Sequence, residues 1–309
     1  MVVSDLLLSL SLSLSLSTFL PCSFPVFSLF SFFHLISFYF TLMISFLFAH
    51  FVQHQSGLDV TDIHYARRGS DLREEYLKMI AGRKTCLVLG EGEYTYSEDY
   101  FVMDVPFLMY GQGREKTNLV GFGLKIEGKK SSGTVVVEDL KIKMGPTYNE
   151  YFLGGAGLWT VGGMDLIARR CTVEMCKIRG VRADNAHVSC VDLEVVACAM
   201  SGILTINGGT VKLSGENTRI HGNAKAEGEW ISFDQYGLYA SPGTKIQLVA
   251  PLTKERVSTN NGKGGNWGGS GTIEQVIEQV GSSSSGETKS SGSSTTATLV
   301  GKSSLPASR

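Results

Sequence analysis

A glycine followed by a branched apolar residue returns at nearly constant spacing through the middle of the chain. The dipeptide stands at Gly157-Leu158, Gly180-Val181, Gly202-Ile203 and Gly237-Leu238, with steps of 23, 22 and 35 residues. The longest step contains an insertion, HGNAKAEGEWISFDQY, and so equals one repeat plus extra residues. A short fixed period predicts a solenoid, in which each unit stacks on the previous one and shares its core.

Two further tracks of apolar residues run in parallel with this dipeptide, and both have a period of two. The first track holds Val135/Val137, Met164/Leu166, Val188/Cys190, Val211/Leu213 and Ile246/Leu248, and the second holds Leu140/Ile142, Cys171/Val173, Leu193/Val195 and Thr218/Ile220. Alternation of this kind indicates strands rather than helices. Glycine, asparagine and aspartate fill the junctions, as tight turns require. We therefore predict an all-β fold, a parallel β-helix with three short strands in each coil of ~22 residues.

The first coils carry a motif that is similar to a known superfamily. It comprises Gly92-Glu93-Tyr94, then Phe107-Leu108-Met109, then GQGREKTNL at 111–119; the later IHGN at 220–223 fits the same pattern. These residues resemble the right-handed parallel β-helix proteins of the pectin-lyase-like superfamily, over roughly residues 85–269. The resemblance implies a right-handed parallel β-helix of seven or eight coils, and it says little about activity.

Composition divides the chain into four parts. Residues 1–52 form a hydrophobic segment, and residues 53–84 form a linker with an N-terminal capping helix. Residues 85–280 are predicted to form the β-helix with its C-terminal cap. Residues 281–309 are rich in serine, threonine and glycine, and we expect them to be disordered because they hold too few apolar groups to form a core.

The hydrophobic segment allows two interpretations. Residues 1–52 contain no lysine or arginine, and Asp5 is their only charge. The run 24–52 has 29 residues, enough to span a membrane, which predicts a location in the membrane or the secretory pathway. The alternative interpretation is that the segment is a gene-model artefact, because a CT dinucleotide repeat encodes repeated Leu-Ser, as at the start of this chain. This interpretation predicts a cytoplasmic protein.

Both ends of a solenoid expose its core, so we looked for caps. Upstream, Leu72, Tyr76, Leu77 and Ile80 fall on one face of a helix that begins near Asp71 and stops at Gly82. Downstream, Ile273, Val276, Ile277 and Val280 have helical spacing in TIEQVIEQV. We predict a capping helix at each end.

Charge and cysteine content narrow the choice of partners and cofactors. A net charge of -1 argues against nucleic-acid binding. The six cysteines show no metal-ligand spacing, so we predict no metal and no cofactor. Cys176 and Cys198 are one coil apart and should stack, with Asn223 and then Asn260 in the same column. A buried ladder of small residues is the favoured interpretation, and a disulfide between the two cysteines is the alternative.

Carboxylates bear on whether the protein is an enzyme. The resemblance implies that a lyase would gather several acids for calcium and use an arginine base, whereas a hydrolase would use paired aspartates and a Gly-His-Gly. This chain has no Asp-Asp and no Gly-His-Gly. Arg182, Asp184 and His187 are the weak catalytic candidates, because they could perform acid–base chemistry within one turn.

One outer face carries the best binding candidates. If the residue after each repeated glycine points inward, then Trp159, Arg182, Leu204 and Tyr239 point outward, with Val161, Asp184, Ile206 and Ser241 in the next row. We predict that Trp159, Arg182, Asp184 and Tyr239 bind ligand. The preferred function is a non-catalytic module that binds a polysaccharide or a protein along this face; the alternative is a polysaccharide lyase or glycoside hydrolase. The insertion at 222–236 could form a wall of the groove or pack elsewhere.

Overall fold

A computed structural model of the protein describes residues 63–129, 133–145, 155–225 and 235–278. Within these ranges the strands form three parallel sheets, in about eight turns of roughly 25 residues. The chain visits sheet A, sheet B and sheet C in order and then returns to sheet A one strand further along. The prediction of an all-β parallel β-helix is confirmed.

Each complete turn contributes one strand to each sheet, and sheet A has two further strands, one at each end. Sheet A holds β1 Ile63–Ala66, β2 Cys86–Leu89, β5 Leu108–Tyr110, β8 Thr134–Glu138, β11 Asp165–Arg169, β14 His187–Val191, β17 Thr210–Ser214, β20 Lys245–Val249 and β23 Thr272–Val276. Sheet B holds β3 Gly92–Thr95, β6 Thr117–Val120, β9 Lys141–Lys143, β12 Thr172–Glu174, β15 Glu194–Val196, β18 Arg219–His221 and β21 Ser258–Thr259. Sheet C holds β4 Tyr100–Met103, β7 Gly123–Glu127, β10 Ala156–Val161, β13 Arg179–Asp184, β16 Ile203–Ile206, β19 Leu238–Ala240 and β22 Trp267–Gly268. The described helices are α1 Leu72–Ala81 and α2 Lys254–Val257.

Alternate residues of each strand point into a single continuous core. Along sheet A, Leu166 pairs with Val188 and Val188 with Val211, and all three are buried. The period of two in the sequence therefore reflects burial, as expected for strands with one inner face. One predicted pair is displaced by two residues, because Leu166 and Ala168, not Met164 and Leu166, occupy the inner positions of β11.

The repeated glycines lie where the chain turns from sheet B into sheet C. An added Cβ at Gly180 would lie 2.1 Å from Val195 Cγ1, and one at Gly157 would lie 2.4 Å from Val173 Cγ1. Real Cβ atoms essentially never lie within 3.0 Å of a neighbouring heavy atom. The core side chains of sheet B thus fill the space that a larger residue would need, which explains why the repeat begins with glycine.

Helix α1 covers the N-terminal end of the core. The Asp71 side chain caps it by accepting hydrogen bonds from the backbone N–H groups of residues 73 and 74, as predicted. The Tyr76 ring packs against Phe101 and Phe107, with centroids 5.1 and 5.3 Å apart. The predicted helix face was partly wrong: Leu77 and Ile80 are exposed at 53% and 37%, and Met79 is buried instead. The buried residues of the helix, at i, i+3, i+4 and i+7 from Leu72, follow an arc that is rotated from the predicted one.

The predicted C-terminal capping helix is wrong. Thr272–Val276 is a strand, β23, which pairs in parallel with β20 at the open edge of sheet A. Pairing satisfies the backbone N–H and C=O groups that an unpaired edge would expose. The residues 273 and 276 that suggested a helix are β-branched and suit a strand equally well. Val280 lies outside the described residues.

The cysteine column forms as predicted, with one change at its end. Cys176 and Cys198 are buried, and both are free thiols, as are the other cysteines in the described residues. Burial raises the pKa of the Cys176 thiol well above its ordinary value. Asn223 continues the column, and its side-chain oxygen accepts a hydrogen bond of 2.9 Å from the Cys198 backbone N–H. Asn261, rather than Asn260, follows it, because its side chain accepts from Asn223 N at 3.0 Å.

The membrane question falls on residues that the structure does not describe. Over the described ranges, every helix is too short or too polar to cross a membrane. The hydrophobic run 24–52, the tail 281–309 and most of the insertion, residues 226–234, lie outside the described residues.

Candidate functional site

The predicted outer row of sheet C is present in the register that the sequence indicated. Trp159 pairs with Arg182, Arg182 with Leu204, and Leu204 with Tyr239. Lys125 precedes Trp159 on the neighbouring strand β7. We call these five residues the outer row. Three strand spacings separate Trp159 from Tyr239, which corresponds to ~14 Å between their backbones.

Two cations flank the indole ring of Trp159. Lys125 Nζ lies 5.0 Å from the ring centroid, and Arg182 Cζ lies 4.7 Å from it. These cations belong to the strands on either side of β10. The ring of Tyr100 meets the indole edge to face, with centroids 5.4 Å apart. Such contacts attract a cation to the ring and hold the indole in one orientation.

Two nitrogen atoms in this cluster are buried donors. Within the described residues, neither Trp159 Nε1 nor Arg182 Nε has a hydrogen-bond partner. A buried N–H without an acceptor costs about 1–3 kcal/mol of stability. A ligand oxygen that accepted from these donors would remove this cost, but it would reach them only after neighbouring side chains moved, because both nitrogen atoms are shielded from solvent.

A second row beside the outer row carries two carboxylates. Glu127 pairs with Val161, and Val161 pairs with Asp184, so the acids are two strands apart, about 10 Å between their backbones. Asp184 accepts hydrogen bonds of 2.8 Å from Arg182 Nη2 and 2.8 Å from Asn207 Nδ2. Glu127 forms an ion pair of 2.6 Å with a lysine of the same strand. Both acids are thus neutralised by cations of the outer row.

Two of these residues, Lys125 and Glu127, were missed by the sequence analysis. The signal was available, because Gly123-Leu124 is another copy of the repeated dipeptide and is followed by the same pattern of outward residues. The insertion between this copy and Gly157 hides the period. Without the register given by the structure, the two residues could not be placed in the row.

The remaining candidates take different positions. Tyr239 stacks on Tyr236, with ring centroids 5.5 Å apart and an interplanar angle of 28°. His187 is exposed and lies on sheet A, whereas Arg182 and Asp184 lie on sheet C. The hydrogen bonds of Asp184 go to Arg182 and Asn207, and acid–base chemistry by Arg182, Asp184 and His187 stays a prediction.

A polar cleft of about 350 Å³ lies at the corner between sheets A and B. Its lining residues include Asp139, Arg170 and Asp192. Arg170 binds Asp139 through hydrogen bonds of 2.9 and 2.7 Å and also pairs with the buried Glu138. Asp192 accepts a hydrogen bond from the backbone N–H of residue 217. Asp139 and Asp192 therefore stabilise the turns through these hydrogen bonds. For this reason the cleft is a weaker candidate for a ligand site than the outer row.

The described ranges contain no candidate metal site. There, no group of three or more histidine, cysteine, aspartate or glutamate side chains is placed to hold an ion.

The comparisons with known proteins yield one similar structure. No protein-family model and no curated protein matches the chain. Among solved structures, it is similar to the catalytic domain of a GH87 alpha-1,3-glucanase in complex with tetrasaccharides, with 13% identity and a TM-score of 0.44. The alignment covers 71% of this chain but only 39% of the glucanase domain. A likeness at this level does not indicate a function. The fold itself defines the class of protein as a parallel β-solenoid.

Proposed function

We propose that the outer row of sheet C binds an extended carbohydrate chain without cleaving it. The observation that carries the proposal is Trp159, held between Lys125 and Arg182 and retaining a buried N–H without a partner. Sugars present hydroxyl oxygens that accept hydrogen bonds from indole and guanidinium groups, and they present apolar faces that pack on aromatic rings.

The residues of the row would divide these tasks. Because cations flank Trp159, we expect its indole to fix the two cations and to donate its N–H rather than to stack on a sugar ring. The half-exposed ring of Tyr239, already stacked on a neighbouring tyrosine, offers an apolar surface further along the row. An extended ligand that contacts both must cross several strands, which suits a polysaccharide.

Retention of the full-length protein on immobilised polysaccharides tests the proposal. The Trp159→Ala variant should lose at least ten-fold in affinity for the glycan that retains the wild type. Trp267→Ala is the matched control, because Trp267 also has a cation over its ring, Lys254 Nζ at 5.6 Å, but lies outside the row. Equal affinities of the two variants for the glycan would contradict the proposal. So would a wild-type protein that is retained on none of the glycans but binds an extended protein.

A second candidate is a glycoside hydrolase or lyase, and Glu127 and Asp184 favour it. Their backbones are two strands apart, ~10 Å, and inverting glycosidases place their carboxyl groups ~6.5–9.5 Å apart, a distance that two side chains at this spacing can adopt. Their ion pairs with the outer row would have to break when substrate binds. Release of new reducing ends or unsaturated product by the wild type, abolished in Glu127→Gln and Asp184→Asn, would establish the second candidate. Retention without product would exclude it.

A further inference from the structure

The outside of sheet A is buried over its first strands, although outer solenoid faces normally meet water. Cys86, Leu108 and Val136 alternate with inward residues, and each is 0% exposed. They form a row with Ile63 and Ile167, one residue from each of five successive strands. We call this row of five residues the outer apolar stripe.

The stripe is distinct from the core. The residues that alternate with it, such as Leu87 and Met109, belong to the inner cluster, whereas Cys86, Leu108 and Val136 belong to a separate one. Sheets covered on both faces have nearly continuous apolar strands, and sheets with one wet face alternate. The sequences CLVL of β2 and VVV within β8 are of the first kind.

The stripe ends abruptly along the solenoid. Beyond Ile167 the same row continues with Ser189, Lys212 and Gln247, which are polar and partly exposed. The apolar part therefore spans four strand spacings, ~19 Å. A covering element must lie over the first turns only, on the side where the chain enters sheet A.

Among the described residues, no hydrophobic side chain from outside sheet A packs against this row. Every member of the separate cluster, including its partly buried neighbours, comes from strands of sheet A itself. Cys86, Leu108 and Val136 are nonetheless 0% exposed, which favours an apolar layer from elsewhere in the chain.

We propose that the apolar segment at residues 24–52 docks on the outer apolar stripe. The chain enters sheet A at Ile63, the first residue of the stripe, and ten residues connect it to the segment. Ten extended residues reach up to ~33 Å, more than the ~19 Å length of the stripe. The segment itself has 29 residues and no charge.

The other segments outside the described ranges fit the stripe less well. Residues 130–132 are Lys-Ser-Ser, and residues 279–309 are dominated by serine, threonine and glycine. In the sequence, residues 146–154 and 226–234 follow a strand of sheet B and precede one of sheet C, so they are not directly connected to sheet A. Docking makes the segment a second layer of the solenoid, so that the segment cannot span a membrane while the stripe is covered.

Photo-crosslinking in the full-length chain tests this arrangement. A benzoylphenylalanine placed at Ile167, at the partly exposed border of the stripe, should crosslink to residues 24–62, as identified by mass spectrometry. Crosslinks to residues 130–132, 146–154, 226–234 or 279–309, to another protein, or to nothing would overturn the proposal.

The thiol of Cys86 provides a second readout. It is the described cysteine that lies on the stripe, while the other described cysteines belong to the core, and burial raises its pKa to about 12. Replacing Phe33 and Phe38 by aspartate should accelerate Cys86 alkylation at least ten-fold. Replacing Leu12 and Leu14 by aspartate, outside the segment, should not. Equal alkylation rates in folded proteins with native circular dichroism would overturn the proposal.

Discussion

Replacing Gly180 by alanine tests whether the repeat is set by packing at the corner between sheets B and C. The new Cβ would lie 2.1 Å from Val195 Cγ1 and 2.6 Å from the Gly202 carbonyl oxygen. The backbone at Gly180 is not left-handed, so alanine adds no torsional strain there. Overpacking of a core typically costs 1–3 kcal/mol, and the backbone contact cannot relax by a side-chain movement. We expect a loss of about 3 kcal/mol in the free energy of unfolding.

Chemical denaturation followed by circular dichroism measures this loss by linear extrapolation. Gly208→Ala is the matched control, because Gly208 has a φ of +81° and no atom within 4 Å of an added Cβ. It should cost only the torsional strain, roughly 1–2 kcal/mol. A Gly180→Ala variant that is no less stable than the control would refute the packing argument.

A double variant sharpens the test. Val195→Ala removes the nearest atom, Cγ1, but leaves the clash with the Gly202 carbonyl. The two substitutions should therefore be less costly together than the sum of their separate effects, by about 1 kcal/mol. Strict additivity would show that the two residues do not share the crowded corner.

Two further predictions concern charged groups. Arg170→Met leaves the Glu138 side chain, which is 3% exposed, without its main partner and should lower the free energy of unfolding by about 2–4 kcal/mol. Lys116→Ala, at an exposed ion pair, should be much less destabilising in the same denaturation measurement. Burial alone would raise the pKa of Glu75, but hydrogen bonds from His64 and a lysine outweigh it and hold that pKa below its ordinary value. The ionised carboxylate therefore stabilises the fold above about pH 4.5, and this contribution is lost as pH falls through the folded pKa. Acid titrations of stability should thus be steeper for the wild type than for Glu75→Gln; parallel titrations would contradict the assignment.

The register of the solenoid could be predicted from the sequence because each glycine marks the same corner. Pairing of Trp159 with Arg182 and of Leu204 with Tyr239 follows directly from the spacing of the glycines. The register is signalled locally and in every coil. It is also strongly favoured by the core, since a shift of one residue would turn every inner side chain outward.

Features that depend on long-range contacts could not be predicted. Thr272–Val276 has both helical and strand patterns, and only the open edge of β20 decides for a strand. The cations around Trp159 come from neighbouring coils, one of which lies before an insertion that hides the repeat. The burial of Leu108 on an outer face departs from the alternation of buried and exposed residues that the repeat predicts.

The dependence of affinity on oligosaccharide length tests the central claim about the outer row most directly. Lys125 and Tyr239 are four strands apart, ~19 Å, so the affinity of the full-length protein should rise with ligand length until the ligand spans this distance. Tyr239→Ala should weaken only the longer ligands, because short ones can bind at Trp159 alone. An affinity that is independent of length, or unchanged in both Trp159→Ala and Tyr239→Ala, would contradict the account.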